Sequence, residues 1–221
     1  MSADTARAAI AAIAARYLSE NIVEDDVLGI SPGRTLVAAS RLVKRLPWVD
    51  LVQLTGVGAE RLEDGVEAVT NLGRVAGGAT YALYAPFLTP SASQLVAQHP
   101  ALQQAIRRFS CVTKAVLTIG GWPDESLLAK QLRQFGELEP IRAQGVVGEF
   151  GAVLLGADGR GVPALEDRLI GIDEDSLRAV PVKVAVGGGA GKAAAVLAVL
   201  RSGLCDIMIT DVHAARAALE A

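Results

Sequence analysis

The chain alternates short aliphatic runs with longer stretches in which apolar residues recur at helical spacing. From Asp4 to Ser19, the residues Ile10, Ile13, Ala14, Tyr17 and Leu18 share a helical face while Arg7, Arg16 and Glu20 fall on other faces. That spacing predicts an amphipathic helix packed on a body. The aliphatic runs follow at Val27 to Ser31, Leu51 to Leu54, Thr80 to Tyr84, Ala115 to Ile119, Val182 to Val186 and Ile207 to Thr210. Several are apolar without polar alternation, as strands buried on both faces by helices are. Crossover helices fit at Thr35 to Leu46, Leu62 to Val75, Asp124 to Phe135 and Ala190 to Arg201. The rhythm is that of an α/β protein. Gly145 to Gly171 departs from it, with two extended segments around an Asp158-Gly159 turn, and reads as a hairpin excursion. Tyr81 to Ser91 holds two prolines straight after a strand and reads as a loop ending at a Ser-led helix start. With no internal repeat or low-complexity linker, 1–221 reads as a single domain, and a small subdomain would sit near 86–110.

Composition narrows the picture. At 221 residues the chain is long enough to bury about 70% of its unfolded surface without staples. Hydrophobic residues are 51% of it and aromatics only 4%, so the core is aliphatic and a disordered chain is excluded. A formal charge of −3 has the wrong sign for a polypeptide that neutralises many duplex phosphates by itself. Cys111 and Cys205 stand far apart inside apolar runs, which suits buried thiols of a reducing cytosol; neither has a second cysteine near it for a metal clamp. No apolar stretch reaches about 18 residues, and the Ala- and Arg-rich start with Asp4 is no secretory leader. The expectation is a cytoplasmic protein with no membrane contact, metal or cofactor.

Four strand ends could carry chemistry. Gly29-Ile30-Ser31-Pro32-Gly33-Arg34-Thr35 runs from a strand through a glycine loop into a helix, where backbone N–H groups, a hydroxyl and a guanidinium favour an anion such as phosphate. The plain alternative is a βα turn capped by Thr35. Val186-Gly187-Gly188-Gly189-Ala190-Gly191-Lys192 repeats the arrangement, with Lys192 able to reach back over a ligand. It is not a Walker A loop, because Val186 takes the place of the first Gly and Ala193 that of the Ser or Thr which holds magnesium. Gln53-Leu54-Thr55-Gly56-Val57-Gly58 and Thr118-Ile119-Gly120-Gly121-Trp122 bring polar or small groups to the same sheet edge, where open α/β sheets bind ligands. Thr55 as a turn cap and Trp122 as a cover for the sheet edge are equal alternatives. Glu149, flanked by apolar residues, is either an exposed strand residue or an inward polar group; Lys130 and Arg133 read by default as solvated helix charges, and His99 and His213 as neither metal ligands nor bases. No nucleophile and base pair stands out, so the chain offers a binding site more readily than a reaction, and no catalytic residue is assigned.

The segments VLGISPGRTL, VDLVQLTGVGA, YALYAPFL, AVLTIGGW, GVVGEFGAVLLGADGRGV, DRLIGI and VKVAVGGGAGKAAAVLAVLRSGLCDIMITD, in that order, closely resemble the sugar-binding (effector) domain of the SorC family of bacterial transcriptional regulators, also called DeoR-like. The most specific part is the aliphatic strand, Gly-Gly-x-x-Lys, helix, and strand ending in Thr-Asp, matched by Gly188, Gly189, Lys192, Thr210 and Asp211. The resemblance implies a Rossmann-like three-layer sandwich with a mainly parallel sheet, similar to sugar-phosphate isomerases and deaminases. It implies sensing of a phosphorylated sugar, with changes in oligomerisation and operator binding. The Ala-rich faces of the terminal helices, Ala8 to Ala15 and Ala214 to Ala218, would leave shallow apolar surface if exposed, which predicts a homodimer or tetramer; the plain alternative is that they pack on the sheet. Carried over, Gly33, Arg34 and Thr35 match the phosphate loop, Thr55 a ligand-facing position and Glu149 a polar group that meets the sugar; Ser31, Gln53 and Gly120, at the same strand ends, are expected to bind the effector with them. Gly188, Gly189 and Lys192 form the second loop, and Lys130 falls near a second phosphate. Thr55 replaces a basic residue of several members, which points to a singly phosphorylated or uncharged ligand; Pro32 and Lys114 also depart from the family pattern. Full-length members begin with a helix-turn-helix and reach DNA through it. None precedes Asp4, so the expectation is a domain cut from a longer regulator or a stand-alone sensor. The alternatives are an isomerase or deaminase, with Glu149 or Asp211 as base and Lys192 on phosphate, and a nucleotide binder using Gly187 to Lys192.

Overall fold

In the computed structural model, which describes residues 3–58 and 62–220, the leading helix α1 (Ala3–Asn21) forms as its periodicity predicts. It buries Ile10, Ala11, Ala14, Ala15 and Leu18, whereas Ile13 is 43% exposed, because the buried stripe follows the alanines instead. The chain continues through β1 (Val27–Ile30), α2 (Arg34–Leu42), β2 (Asp50–Gln53), α3 (Leu62–Ala76) and β3 (Thr80–Tyr81). Two short helices, α4 (Ala92–Gln98) and α5 (Pro100–Arg107), lead to β4 (Lys114–Gly121), α6 (Leu127–Gln134) and α7 (Leu138–Arg142). Then come the hairpin β5 (Val146–Phe150) and β6 (Val153–Gly156), α8 (Glu174–Ala179), β7 (Val182–Val186), α9 (Ala193–Ser202), β8 (Ile207–Ile209) and α10 (Val212–Leu219). Helix starts follow the side-chain signals: Ser91, Ser126, Asp173 and Asp211 each accept a hydrogen bond from a backbone N–H two or three residues on.

The fold is α/β with a mixed, curled sheet. Parallel pairings run β3-β2-β1-β4-β7-β8, while β5 and β6 add antiparallel to the far end of β4. The mainly parallel sheet is therefore joined by a hairpin that belongs to the same sheet. β4 serves both parts: Lys114 to Thr118 pair with β7, and Ile119 to Gly121 pair with β5. Alternate residues of the central strands feed separate cores. Leu28, Ile30, Val116, Val184 and Val186 pack with α1, α2 and α3, whereas Ala115, Leu117, Ile119 and Ala185 pack with α5 and α9. Leu102, Ala105 and Phe109 join that second cluster, so the 86–110 segment shares the core of the sheet.

Some sequence expectations shift. The tight turn of the hairpin is at Gly151-Ala152, where Gly151 has φ 64°, not at Asp158-Gly159. The latter turns the chain back after β6, and only Gly161 bridges to Leu155, because Pro163 and the residues beyond it form no strand. Cys111 is exposed rather than buried, since it ends a 3₁₀ turn (Arg108–Cys111) whose inward residue is Phe109; Cys205 is half-buried, and both thiols are free. Among the described residues no helix is long and apolar enough to cross a membrane.

Candidate functional site

The strand order reverses between β1 and β4, since β2 and β3 lie to one side and β7 and β8 to the other. Such a switch point leaves a crevice at the C-terminal strand ends, and a cavity of about 560 Å³ occupies it here. Its base is fixed by hydrogen bonds across the β1–β4 seam. The Thr118 N–H donates to Ser31 Oγ at 2.8 Å, and the Thr118 hydroxyl donates to the Pro32 carbonyl at 2.9 Å. Gly33 passes directly over Thr118 with φ 152°, and a Cβ there would stand 2.7 Å from the threonine side chain. The helix begins at Arg34, one residue before the expected start, with Gly33 as its cap and no side-chain cap bond. Thr35 is therefore not the cap; Arg34 and Thr35, the first two residues of α2, line the cavity, and first-turn N–H groups have no partner within a helix. Arg34 pairs loosely with Glu125 at 3.3 Å, both half exposed.

On the facing wall, the Lys192 ammonium donates to the Ile119 carbonyl at 2.6 Å. Burial holds it below its ordinary pKa; Glu125 and Glu149 push it back up, and Arg34 and Arg7 push it down. Asp211 fixes the loop in front of it. One carboxylate oxygen accepts the N–H of Gly189, and the other accepts those of His213 and Ala214 at the start of α10. Burial works against the Asp211 charge, but these three donors outweigh it and hold the carboxyl below its ordinary range. The Gly189 N–H, which the sequence offered to a ligand, is thus engaged by the protein itself.

Glu149 of β5 reaches the floor of the cavity over Gly120, where any Cβ would stand 2.4 Å from its Oε1. Its Oε2 accepts from the Trp122 indole N–H and from the Ser126 hydroxyl, each at 2.8 Å. Burial pushes the carboxyl above its ordinary value, against those two bonds and the charge of Lys192. Trp122 therefore orients a carboxylate as well as covering the strand end.

Gly33, Arg34, Thr35, Thr55, Gly120, Glu149, Gly188, Gly189 and Lys192 all line this one cavity. Ser31 and Gln53 lie beneath it. Ser31 holds Thr118, and the buried Gln53 amide donates to the Thr55 carbonyl at 2.8 Å. Lys130 is exposed and does not line the cavity, because α6 turns Leu128, Ala129 and Leu132 inward and leaves Lys130 outside. Sequence reasoning missed Ala6, Arg7 and Ile10 of α1, together with Glu125 and His213, which also line the cavity. The periodicity sets Arg7 off the buried face of α1, and it lines the cavity because the first turns of that helix stand beside the strand ends.

Among the described residues no group of three or more His, Cys, Asp and Glu is set to hold a metal ion. A second cavity, of about 600 Å³, lies between β6 and the returning segment and is lined by Glu166, Asp167, Asp173, Glu174 and Asp175. Most of those acids already serve the fold. Asp167 accepts from Ser91 and Ser93, Asp173 caps α8, and Glu174 pairs with Arg178 at 2.7 Å.

A sequence profile of the family described as "Putative sugar-binding domain" matches residues 2–220. The chain is 26% identical over 216 residues to the deoxyribonucleoside regulator of Bacillus subtilis, covering 92% of this chain and 67% of that protein. It is also 26% identical over 206 residues to an uncharacterized transcriptional regulator, YjhU, of Escherichia coli, covering 88% of this chain and 62% of that protein. The chain thus spans about two thirds of the length of these curated relatives. The full-length sorbitol operon regulator SorC of Klebsiella pneumoniae superimposes with a TM-score of 0.87 at 16% identity, over 100% of this chain and 74% of that one. At that identity the likeness shows the fold alone.

Proposed function

Because the chain belongs to this family of sugar-binding domains, we propose that it senses a phosphorylated sugar for a bacterial transcriptional regulator and turns nothing over. The observation that carries the reading is the cavity at the switch point, where the uncapped start of α2, Arg34 and Lys192 converge from two loops. A phosphate fits the N–H groups of α2 with Arg34 beside it. Sugar hydroxyls then meet Glu149, whose Oε2 is fixed by two donors, and the hydroxyl of Thr55. With Thr55 in place of a cation, one phosphate is the better match. The arrangement is Rossmann-like in its use of the strand ends. The transcriptional regulators it is similar to support DNA contact through another part of a cytoplasmic parent protein, and the exposed alanine strip of α1 supports a homodimer or tetramer.

An isomerase or deaminase on the same frame would need a free base. Asp211 is engaged by three backbone N–H groups, which leaves Glu149 as its candidate. Thermal unfolding of the chain against phosphorylated sugars, free sugars and nucleotides separates the readings. One phosphosugar at a hundredfold excess over Kd is expected to stabilise the fold by about 2.7 kcal/mol, with no product formed, and Lys192→Ala is expected to abolish the shift. A flat response to every phosphosugar would overturn the reading, and turnover of the phosphosugar would establish the enzyme.

A further inference from the structure

We propose that Arg7 is a ligand-binding residue and that α1 is thereby a wall of the effector site. The proposal rests on the cavity being an anion-binding effector site, as argued above. α1 is anchored by Ile10, Ala11, Ala14 and Leu18, but its first turns overhang the strand ends, and Ala6, Arg7 and Ile10 line the cavity. The contact with the second loop is direct. Ile10 Cδ1 stands 2.8 Å from the place a Cβ on Gly188 would take, so helix and loop share one surface. Arg7 is close enough to Lys192 for its charge to act on that ammonium.

Three cations from three separate elements therefore border one cavity: Arg7 on α1, Arg34 on α2 and Lys192 before α9. The carboxylates there offset them incompletely as ligand-facing groups. Asp211 is engaged by backbone N–H donors, Glu149 is fixed by Trp122 and Ser126, and Glu125 pairs with Arg34. Arg7 is held by Asp4, three residues earlier on the same helix, at 2.9 Å and with the Asp4 side chain 86% exposed. Such a surface pair is weak. A phosphate in the cavity offers a guanidinium a stronger, bidentate partner. Exchanging Asp4 for the ligand would tie the first turns of α1 to the two loops, so that α1 reports occupancy of the site.

The test is calorimetric titration of the full chain with inorganic phosphate, for the wild type, Arg7→Ala, Asp4→Asn and Lys192→Ala, with amide exchange followed over Thr5 to Ala11. Unliganded melting temperatures check that each variant folds. Arg7→Ala is expected to bind phosphate about tenfold more weakly, the loss of one charge-assisted bond. Asp4→Asn is expected to bind as tightly as the wild type or more so, and phosphate is expected to slow exchange in the first turns of α1 in the wild type but not in Arg7→Ala. If Arg7→Ala matches the wild type while Lys192→Ala loses binding, Arg7 is a bystander and the effector reading stands without it. If Asp4→Asn weakens binding as much as Arg7→Ala, the pair is structural and the proposal fails. If the wild type binds no phosphate, both readings fall together.

Discussion

Glu149 is a carboxylate whose charge the fold opposes, set under the cavity with an indole N–H and a hydroxyl on one oxygen. Its raised pKa means the folded state keeps its proton to higher pH than the unfolded chain does. That contribution to stability is complete below the ordinary glutamate value of 4.5 and is lost as pH rises through the raised folded value. Glu149→Gln has no such loss. Melting temperatures of the two proteins, read from about pH 4 to about pH 8, are expected to diverge in favour of the variant as pH rises and then run parallel. A constant difference at every pH would contradict it. The residues the sequence exposed most clearly were those of the glycine loops, because strand, glycine, cation and helix are neighbours along the chain. Arg7, Glu125 and His213 reach the same cavity only through tertiary placement. The solvated default given to Lys130 matches its exposure, whereas Arg7, off the buried face of its own helix, lines the cavity.

The elements that position the site are tied together at their other end by Asp26. Its carboxylate accepts from the Lys114 ammonium at 2.7 Å, the Thr113 hydroxyl at 2.7 Å and the Val23 N–H at 2.9 Å, and Lys114 also donates to the Asn21 carbonyl at 2.6 Å. The end of α1, the start of β1 and the start of β4 thus meet on one buried pair. Burial opposes the Asp26 charge, but Lys114, Val23 and Thr113 outweigh it and lower its pKa. The stability this gives is present above the unfolded value of 3.8 and is lost as pH falls through the lowered folded one. Asp26→Asn is expected to cost about 2 kcal/mol near neutral pH, less than the ~3 to 5 of a fully buried broken pair, and to flatten the acid limb of the stability profile; chemical denaturation across pH checks both. Strand positions were legible to within a few residues, since each buried strand is a short aliphatic run. The hairpin was harder to place. Asp158-Gly159 is the stronger turn signal in the sequence, yet Gly151-Ala152 makes the tight turn, and the glycines that extend β4 carry no apolar signal.

Across the whole molecule, the inner face of α1 is consumed by the core, and its outer strip of Ala8, Ala9, Ala12 and Ile13 faces outward. If copies associate through this strip, light scattering gives two or four times the chain mass of 22.9 kDa, and Ile13→Glu returns it to one; a wild-type monomer at micromolar concentration would refute that. The α/β class was readable from the rhythm of runs. The sharing of β4 by two parts of the sheet was not, because pairing partners far apart in sequence leave no local trace. The cavity lies on the seam between β1 and β4, and its lining runs from Arg7 near one end of the chain to His213 near the other. If this cavity holds the effector, no portion of the polypeptide made before β8 and α10 can answer it, because Asp211 and His213 complete the lining. A response to ligand would then certify that these elements have docked as well as that the site is occupied.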